Sequence, residues 1–332
     1  MNFLIWVAIL SSFLVTYLSL PYWIKSAHKN GLVGKDVHKI EKVDVAESGG
    51  MAVVMGVCAG ILIYIAINTF IFQNDAKLIY IFAILTTLLI TTIVGMVDDL
   101  LGWKKGLSRK IRIFIVLFAA VPLIVINAGE STMAIPFLGD FNFGLFYPLL
   151  IVPIGILGAT TTYNFLAGMN GLEARQGMII LSVLSVVTYV SGNEWLSVIS
   201  LSMVVSLLGF YLFNKNPAKV FPGDVLTYSV GAMIGMIAIL GNIEKIAVFF
   251  FIPYIIETAL KVRGKLKKES FAKLNPDGSI DLPYEKLYSL THVAIYLLKK
   301  FKKSGKAYEN EVVDLINIFQ IVMIITGLIF VL

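Results

Sequence analysis

The sequence has few charged residues and almost no cysteine. Only 14% of its 332 residues are charged and 58% are hydrophobic, whereas soluble domains carry about 25% charged residues. This balance excludes a soluble globular protein and an intrinsically disordered one. The single cysteine, Cys58, cannot form an intramolecular disulfide, which excludes a disulfide-stabilised secreted scaffold.

Common metal, nucleotide and repeat signatures are missing as well. The three histidines, His28, His38 and His292, lack the spacing of zinc ligands. There is no GxxxxGK[ST] loop, which argues against a P-loop ATPase. The sequence contains no internal repeat of the kind from which many transporters are built.

Long hydrophobic runs recur along the whole chain. Because a helix needs roughly 20 apolar residues to cross a bilayer, they predict an all-α, polytopic membrane protein with about ten transmembrane helices in one integral membrane domain, 1–332. The first run lacks the basic region and cleavage site of a signal peptide and is predicted to be a span. The sixth and eighth runs are short and are expected to borrow flanking residues or to lie where loops fold inward. The predicted segments are 3–24, 51–73, 78–97, 111–128, 145–164, 176–190, 195–213, 225–240, 246–260 and 313–332.

The basic residues are distributed unevenly between the two sides of these segments. All but Lys77 and Lys245 of the 27 Lys and Arg residues lie in the odd-numbered connections. Because positive residues remain cytoplasmic, we expect a multi-pass cell-membrane protein with cytoplasmic catalytic loops and both termini outside. The net charge of +6 then attracts anionic lipids and phosphates and does not indicate a nucleic-acid partner.

The largest connection, 261–312, is predicted to be a large basic cytoplasmic loop. Apolar residues between Tyr284 and Phe301 recur at helical spacing. A helix lying on the membrane surface and a solvated loop helix explain this pattern equally well.

Asp98 and Asp99 are adjacent acids at the end of the third segment. They repel each other and face the negative end of the helix dipole, so a metal or a nearby cation is expected to compensate them unless they form a hydrated loop pair. The basic residues that follow at once are Lys104, Lys105, Arg109 and Lys110.

Further polar residues lie at predicted helix ends on the same, cytoplasmic side of the membrane as Asp98 and Asp99. Asn164 ends the fifth segment, Asn170 precedes Gly171, and Asp224 precedes the eighth segment. A helix cap, a turn residue and an N-cap are the respective alternatives. A helix start also favours phosphate, and carboxylate and amide oxygens suit Mg²⁺. Together these residues indicate a membrane enzyme that acts on a phosphate-bearing substrate with Mg²⁺.

Three ordered motifs carry a family resemblance. Asp98-Asp99, the run from Asn164 to Glu173 (NFLAGMNGLE) and Phe221-Pro-Gly-Asp224 resemble the polyprenyl-phosphate N-acetylhexosamine-1-phosphate transferases. The resemblance is closest to the archaeal and eukaryotic UDP-N-acetylglucosamine–dolichyl-phosphate N-acetylglucosaminephosphotransferases and covers nearly the whole chain. Other similar segments are 34–37, 47–50 and 273–278.

The resemblance implies a magnesium-dependent glycosylphosphotransferase. It transfers N-acetylhexosamine 1-phosphate, with N-acetylglucosamine expected, from the UDP-sugar to dolichyl or another polyprenyl phosphate. UMP is released, and the reaction starts lipid-linked oligosaccharide assembly for N-glycosylation. Mn²⁺ is a candidate substitute for Mg²⁺. The implied partners are the two substrates and the lipid bilayer, and a homodimer is left open.

The resemblance also implies site residues. Asn164 and Asp224 bind the metal with the diphosphate, and Glu47 lies near the nucleotide sugar. Asp98 and Asp99 organise the site, with base catalysis by one of them as the alternative. The full expected set is Asp98, Asp99 and Lys110 for catalysis, Val37, Glu47, Asn170, Phe221 and Lys268 for substrate, and Asn164 and Asp224 for metal.

One departure concerns the last loop, where Lys267 to Ser270 replaces the Arg-His-Arg cluster of eukaryotic relatives. Lys268 is expected to supply one of those phosphate contacts, as a point charge. Because a phosphomonoester with a second pKa of about 6 is largely dianionic at neutral pH, organisation of metal and substrate by the Asp pair is favoured over proton abstraction. Direct displacement is favoured over a covalent aspartyl intermediate.

Two alternative functions follow from the same sequence. One is an undecaprenyl-phosphate sugar-1-phosphate transferase that makes a wall or surface polymer. The other is a membrane transporter, which predicts acidic residues in mid-helix. Glu257 is the acid nearest to that description.

Overall fold

The computed structural model is mainly helical and describes residues 2–102, 106–135 and 139–331. One π-helical turn, Asn68–Phe72, extends the helix Gly50–Ile67, and another, Tyr147–Ile151, precedes the helix Val152–Phe165. The helices are α1 Phe3–Lys29, α2 Gly50–Ile67, α3 Leu78–Leu101, α4 Arg109–Ala119, α5 Val121–Val125, α6 Val152–Phe165, α7 Leu172–Val190, α8 Glu194–Asn214, α9 Gly223–Gly241, α10 Glu244–Phe250, α11 Ile252–Arg263, α12 Leu290–Phe301 and α13 Glu309–Val331. The strands are β1 Val33–Lys35, β2 Asp44–Ala46, β3 Thr132–Ile135, β4 Gly139–Asn142, β5 Lys273–Leu274 and β6 Ile280–Asp281.

Among the described residues, eight helices are long and apolar enough to cross a membrane. They confirm the all-α, polytopic membrane fold. The other two predicted segments, 111–128 and 246–260, are each a pair of shorter helices, α4 with α5 and α10 with α11. Pro122 and Pro253 lie at the start of the second helix in each pair. Proline has no N–H to donate to the preceding turn, which explains why both segments are interrupted.

The two short segments do borrow residues from the loops before them. Helix α7 begins at Leu172, four residues before the predicted segment, and α9 begins at Gly223. Both helix starts therefore include motif residues, Glu173 in α7 and Asp224 in α9. Each of these two motifs therefore ends in the first turn of a helix of the bundle.

Helix α9 is the centre of the bundle. Every residue from Val225 to Gly241 is buried, and α9 packs against α3, α6 and α2. A Cβ at Gly95 of α3 would lie 2.5 Å from the backbone nitrogen of Val225, and one at Gly231 would lie 2.7 Å from the carbonyl oxygen of Ala159. Neither position has room for a side chain, so glycine allows the start of α9 to lie against the end of α3.

Helix α12 is shorter than predicted. It begins at Leu290 and not at Tyr284, because the Ser289 hydroxyl accepts a hydrogen bond from the Thr291 N–H and caps the helix there. Its buried face packs against α11 and α13. The Glu257 carboxylate accepts hydrogen bonds from the Leu290 N–H at 2.5 Å and the Ser289 hydroxyl at 3.1 Å. This acid near a membrane segment therefore anchors the loop helix.

The hairpin of β1 and β2 lies in the first odd-numbered connection. It is antiparallel, with Val33 opposite Ala46. Ala46 also forms a parallel bridge with Val220, and the Phe221 N–H donates to the Ala46 carbonyl at 2.7 Å. The first connection is thereby fixed beside the Phe221–Asp224 motif, although 174 residues separate Ala46 and Val220 in sequence.

Candidate active site

One cavity of about 970 Å³ collects residues from all five odd-numbered connections. Taken in chain order, these five connections contribute Glu47, Asp98, Asn170, Asp224 and Phe271, one residue from each. The connections predicted to share one side of the membrane thus meet at one end of the bundle. Eight of the ten expected site residues line the cavity: Val37, Glu47, Asp98, Asp99, Asn164, Asn170, Phe221 and Asp224.

Asp99 caps helix α9 from a different helix. Its carboxylate accepts hydrogen bonds from the Asp224 N–H at 2.7 Å, the Val225 N–H at 3.4 Å and the Ser48 hydroxyl at 2.8 Å. The N-cap position of α9 is Pro222, which makes no side-chain capping bond. The N-cap alternative for Asp224 was therefore wrong. Asp99 performs that function, and the Asp224 side chain is free to face the cavity.

Asp98 is the centre of a charged group. One of its oxygens accepts the Leu107 N–H at 2.6 Å, and the other pairs with the Arg112 guanidinium at 2.5 Å. The carboxyl groups of Asp98 and Asp224 lie within hydrogen-bonding reach of each other. Two carboxylates this close require a proton or a cation between them.

Arg112 supplies the positive charge that the acidic pair was expected to need. Arg112 was not among the expected site residues. The residue expected in its place was Lys110, which is exposed and does not line the cavity. Residues two apart on a helix face different directions, so only one of the two can reach Asp98. Helical spacing in α4 indicates that Lys110 and Arg112 face different directions, but it does not indicate which of them reaches Asp98. Lys104 and Lys105 lie outside the described residues.

Asn164 of α6 lies beside Tyr228, and Tyr228 is one helical turn from Asp224 in α9. The Asn164 side chain lies within hydrogen-bonding reach of the Tyr228 hydroxyl, and Tyr228 follows Asp224 by four residues on the same face of α9. The Arg112 guanidinium lies over the Tyr228 ring, 6.0 Å from its centroid. Asn164, Asp224 and Asp98 all line the cavity.

The loop between α6 and α7 is held by Glu173. Its carboxylate accepts the Gly168 N–H at 2.7 Å. Gly168 and Gly171 have positive φ values of 111° and 79°, which glycine adopts without the steric cost of a side chain. This loop sets Asn170 at the cavity wall.

Glu47 lies beside the start of α2. Burial, together with the negative charge of Asp99, raises the pKa of Glu47 to about 7. The neighbouring Gly49 and Gly50 donate their N–H groups to the carbonyls of Phe221 and Pro222 at 2.9 and 3.0 Å. These bonds place Glu47 next to the Phe221–Asp224 motif.

Lys268 does not line the cavity. It is exposed, and its ammonium lies 4.5 Å from the centroid of the Tyr284 ring. This position gives no support to the expected phosphate contact. The connection 261–312 instead contributes Phe271 to the cavity.

Comparison with known proteins identifies the group to which the chain is related. The family described as glycosyl transferase family 4 matches residues 81–242, which contain the Asp98-Asp99, Asn164–Glu173 and Phe221–Asp224 motifs. A protein of Saccharolobus solfataricus is 35% identical over 96% of this chain and 95% of its own length. The chain belongs to glycosyl transferase family 4.

Two further relatives are similar to this chain to different extents. A Sulfolobus acidocaldarius protein is 32% identical over 97% of this chain and 95% of its own length. It and the Saccharolobus protein are provisionally named UDP-N-acetylglucosamine–dolichyl-phosphate N-acetylglucosaminephosphotransferase. A phospho-N-acetylmuramoyl-pentapeptide-transferase of Streptococcus pyogenes is 29% identical over 77% of this chain and 79% of its own length.

Proposed function

We propose that this protein transfers N-acetylglucosamine 1-phosphate from UDP-N-acetylglucosamine to dolichyl phosphate and releases UMP. The observation that carries the proposal is the cavity in which Asp98, Asp99, Asp224 and Arg112 meet. The archaeal relatives named for this reaction are similar over nearly the full chain. We place the reaction at the start of lipid-linked oligosaccharide assembly for N-glycosylation.

The residues present fit a divalent metal such as Mg²⁺. The carboxyl groups of Asp98 and Asp224 lie within hydrogen-bonding reach of each other, and Asn164, which also lines the cavity, can offer an amide oxygen. Mg²⁺ prefers oxygen ligands and commonly binds one or two carboxylates together with substrate phosphates. Asp224 and Asn164 would hold the ion, and it would neutralise charge on the diphosphate.

A positive charge of the protein itself, the Arg112 guanidinium, lies beside Asp98. Arg112 pairs with this carboxylate, and its Nε is buried without a hydrogen-bond partner among the described residues. A phosphate oxygen would satisfy that donor. Because phosphoryl transfer depends mainly on positioning and charge neutralisation, Arg112 is the expected contact for the transferred phosphate.

The chemical step is a direct displacement. An oxygen of the lipid phosphate forms a bond to the β-phosphorus of the nucleotide sugar. The bond from that phosphorus to the oxygen bridging the two phosphates breaks, and UMP leaves with the electron pair. With a second pKa of about 6, the attacking phosphate needs no strong base at neutral pH, so Asp98 and Asp99 organise the site.

The distribution of Lys and Arg residues indicates the side of the membrane to which the cavity opens. The connections that form the cavity contain 25 of the 27 Lys and Arg residues, and positive residues remain on the cytoplasmic side. We therefore infer that the cavity opens to the cytoplasm.

A radiolabelled UDP-sugar assay with purified protein in detergent tests the proposal. We expect UMP release with UDP-N-acetylglucosamine and dolichyl phosphate when Mg²⁺ is added, and none after chelation. Preferential use of undecaprenyl phosphate would support the wall-polymer alternative. Absence of UMP from every donor and acceptor pair would contradict the proposed function.

A further inference from the structure

Helix α12 has apolar side chains on two opposite faces. Its inner face packs against α11 and α13 and includes the buried Leu290 and Ala294. Its outer face leaves Tyr296, Leu297 and Phe301 exposed over 43%, 36% and 74% of their surface. These three belong to the series 293, 296, 297, 300 and 301, which has the spacing of a single helix face. A helix in a solvated loop carries polar residues on its outer face, so this face is typical of a different surrounding.

Lysine residues lie among these exposed apolar side chains. The Lys300 ammonium is 5.8 Å from the centroid of the Tyr296 ring and 5.6 Å from that of the Phe301 ring. Lys303 follows just beyond the end of the helix and is also exposed. We call Tyr296, Leu297, Lys300, Phe301 and Lys303 the outer patch. The outer patch combines aromatic rings with cations and contains no acid.

The two lysines of the outer patch differ from their neighbours in having no acidic partner. The neighbouring ion pairs are Lys299 with Asp281 and Lys302 with Glu311. In the part of the chain that the structure describes, no carboxylate forms a salt bridge with Lys300 or Lys303. The outer patch therefore keeps two positive charges that an external anion can neutralise.

A surface pocket of about 360 Å³ opens beside Lys300. It lies between α12 and strand β6, and its lining is Asp281, Leu282, Tyr296, Lys299 and Lys300. Because Asp281 is paired with Lys299, the net charge of this lining is positive. A phosphate group entering the pocket would meet the unpaired ammonium of Lys300 beside an aromatic ring.

The outer patch lies close to the point where a membrane-spanning helix begins. Helix α13 is one of the helices long and apolar enough to cross a membrane, and only residues 302–308 separate its start at Glu309 from Phe301. The ion pair between Lys302 and Glu311, at 2.5 Å, joins the end of α12 to the first turn of α13. Aromatic and basic side chains at this level are typical of the boundary between lipid headgroups and acyl chains.

We propose that the outer patch of α12 docks on the cytoplasmic surface of the membrane and binds the phosphate of an anionic phospholipid. Phe301, Tyr296 and Leu297 enter the headgroup boundary, while Lys300 and Lys303 contact the negative headgroup. Charge favours a lipid over a second copy of this chain. Two copies joined at this patch by two-fold symmetry would bring four lysines together, whereas the cytoplasmic leaflet carries negative charge.

The depth of α12 can be measured on the full-length protein in liposomes of phosphatidylglycerol and phosphatidylcholine. Cys58 is the single cysteine, so Cys58→Ala provides a background in which Leu297→Cys carries one nitroxide label. We expect the label to collide more often with oxygen, which concentrates in lipid, than with a neutral nickel chelate, which stays in water. A preference for the nickel chelate is the result of a solvated helix and would overturn the proposal.

Headgroup selection tests the two unpaired lysines. Lys300→Gln with Lys303→Gln removes their charges, and Lys265→Gln with Lys267→Gln makes the same change at exposed lysines elsewhere in the connection 261–312. Native mass spectrometry gives the ratio of association constants for phosphatidylglycerol over phosphatidylcholine. A lysine near an anionic surface contributes about a fivefold factor, so we expect the first variant to lose about fivefold for each lysine. The second variant should keep the wild-type ratio.

Three outcomes would contradict the proposal through the lipid ratio or the label. The first is an unchanged ratio in Lys300→Gln with Lys303→Gln, and the second is an equal loss in both double variants, which would assign the preference to the basic loop as a whole. The third is a label at Leu297 that is shielded from both collision reagents and shows spin–spin broadening, which would identify a second copy as the occupant. Neither measurement uses catalysis, so a failure of the proposed function leaves them informative.

Discussion

The carboxylate of Asp99 accepts the backbone N–H of Asp224 at 2.7 Å, although the residues are 125 apart in sequence. This bond joins the end of α3 to the first turn of α9, the most deeply buried helix. It gives the adjacent acids different functions, since Asp99 caps a helix while Asp98 pairs with Arg112. We expect Asp99→Ala to lower the free energy of unfolding by about 1–2 kcal/mol, as the loss of an N-cap does.

Thermal unfolding in detergent checks this, with Asp224→Asn as the matched comparison. Asp224 makes no side-chain capping bond for its own helix, so its replacement should not reproduce the loss. Equal unfolding temperatures for Asp99→Ala and the wild type would show that the cap adds nothing to stability.

Arg112 and Lys110 provide a second contrast within one helix. Removing Arg112 leaves Asp98 and Asp224 without their described cation. We expect Arg112→Ala to reduce kcat/KM about 100-fold, comparable to the loss of one charge-stabilising donor. Lys110→Ala should cost at most a few-fold, because Lys110 is exposed outside the cavity. The reverse order in initial-rate measurements would restore the Lys110 assignment.

A pH effect on stability is expected from His292. Burial and the positive charge of Lys261 lower the pKa of His292 from 6.5 to about 4. Above pH 6.5 the ring is neutral in both states and its contribution to stability is complete. As pH falls from 6.5 to 4, the unfolded chain takes up the proton first and stability is lost, by up to about 3 kcal/mol.

Chemical unfolding of wild-type and His292→Gln protein between pH 4 and 7.5 measures this contribution. The variant should show a flatter pH dependence over that interval. His28→Gln removes an exposed histidine and should leave the wild-type profile in place. Parallel profiles for all three proteins would contradict the assignment.

Gly50 tests the close approach of α2 and α9. A Cβ at this position would lie 2.7 Å from the Leu226 Cα, so Gly50→Ala should destabilise the protein by about 1–3 kcal/mol through overpacking. Gly158 of α6 has open space around its Cβ direction. Gly158→Ala should therefore be neutral or stabilising by up to about 1 kcal/mol. Unfolding temperatures of the two variants decide the comparison.

The sequence predicted the fold well because hydrophobic length and charge distribution are local properties. The eight long helices and the two proline-interrupted pairs correspond to the ten apolar runs. The grouping of Glu47, Asp98, Asn170 and Asp224 in one cavity also follows from placing the odd-numbered connections on one side.

Pairings between distant side chains could not be predicted in this way. Asp99 capping α9 and the Glu309 carboxylate accepting the Asn170 N–H both depend on helix packing, which periodicity does not encode. The choice of Arg112 over Lys110 depends on how α4 is rotated about its axis. The start of α12 was misplaced because Ser289 was not recognised as its cap.

The most direct test of the account is UMP release by Asp224→Ala. The purified variant is compared with the wild type at saturating UDP-N-acetylglucosamine, dolichyl phosphate and Mg²⁺, after its unfolding temperature shows that it is folded. The account predicts that release falls to the background of a reaction without protein. Robust UMP release by the folded variant would contradict the central role given to Asp224 and the carboxylate cavity.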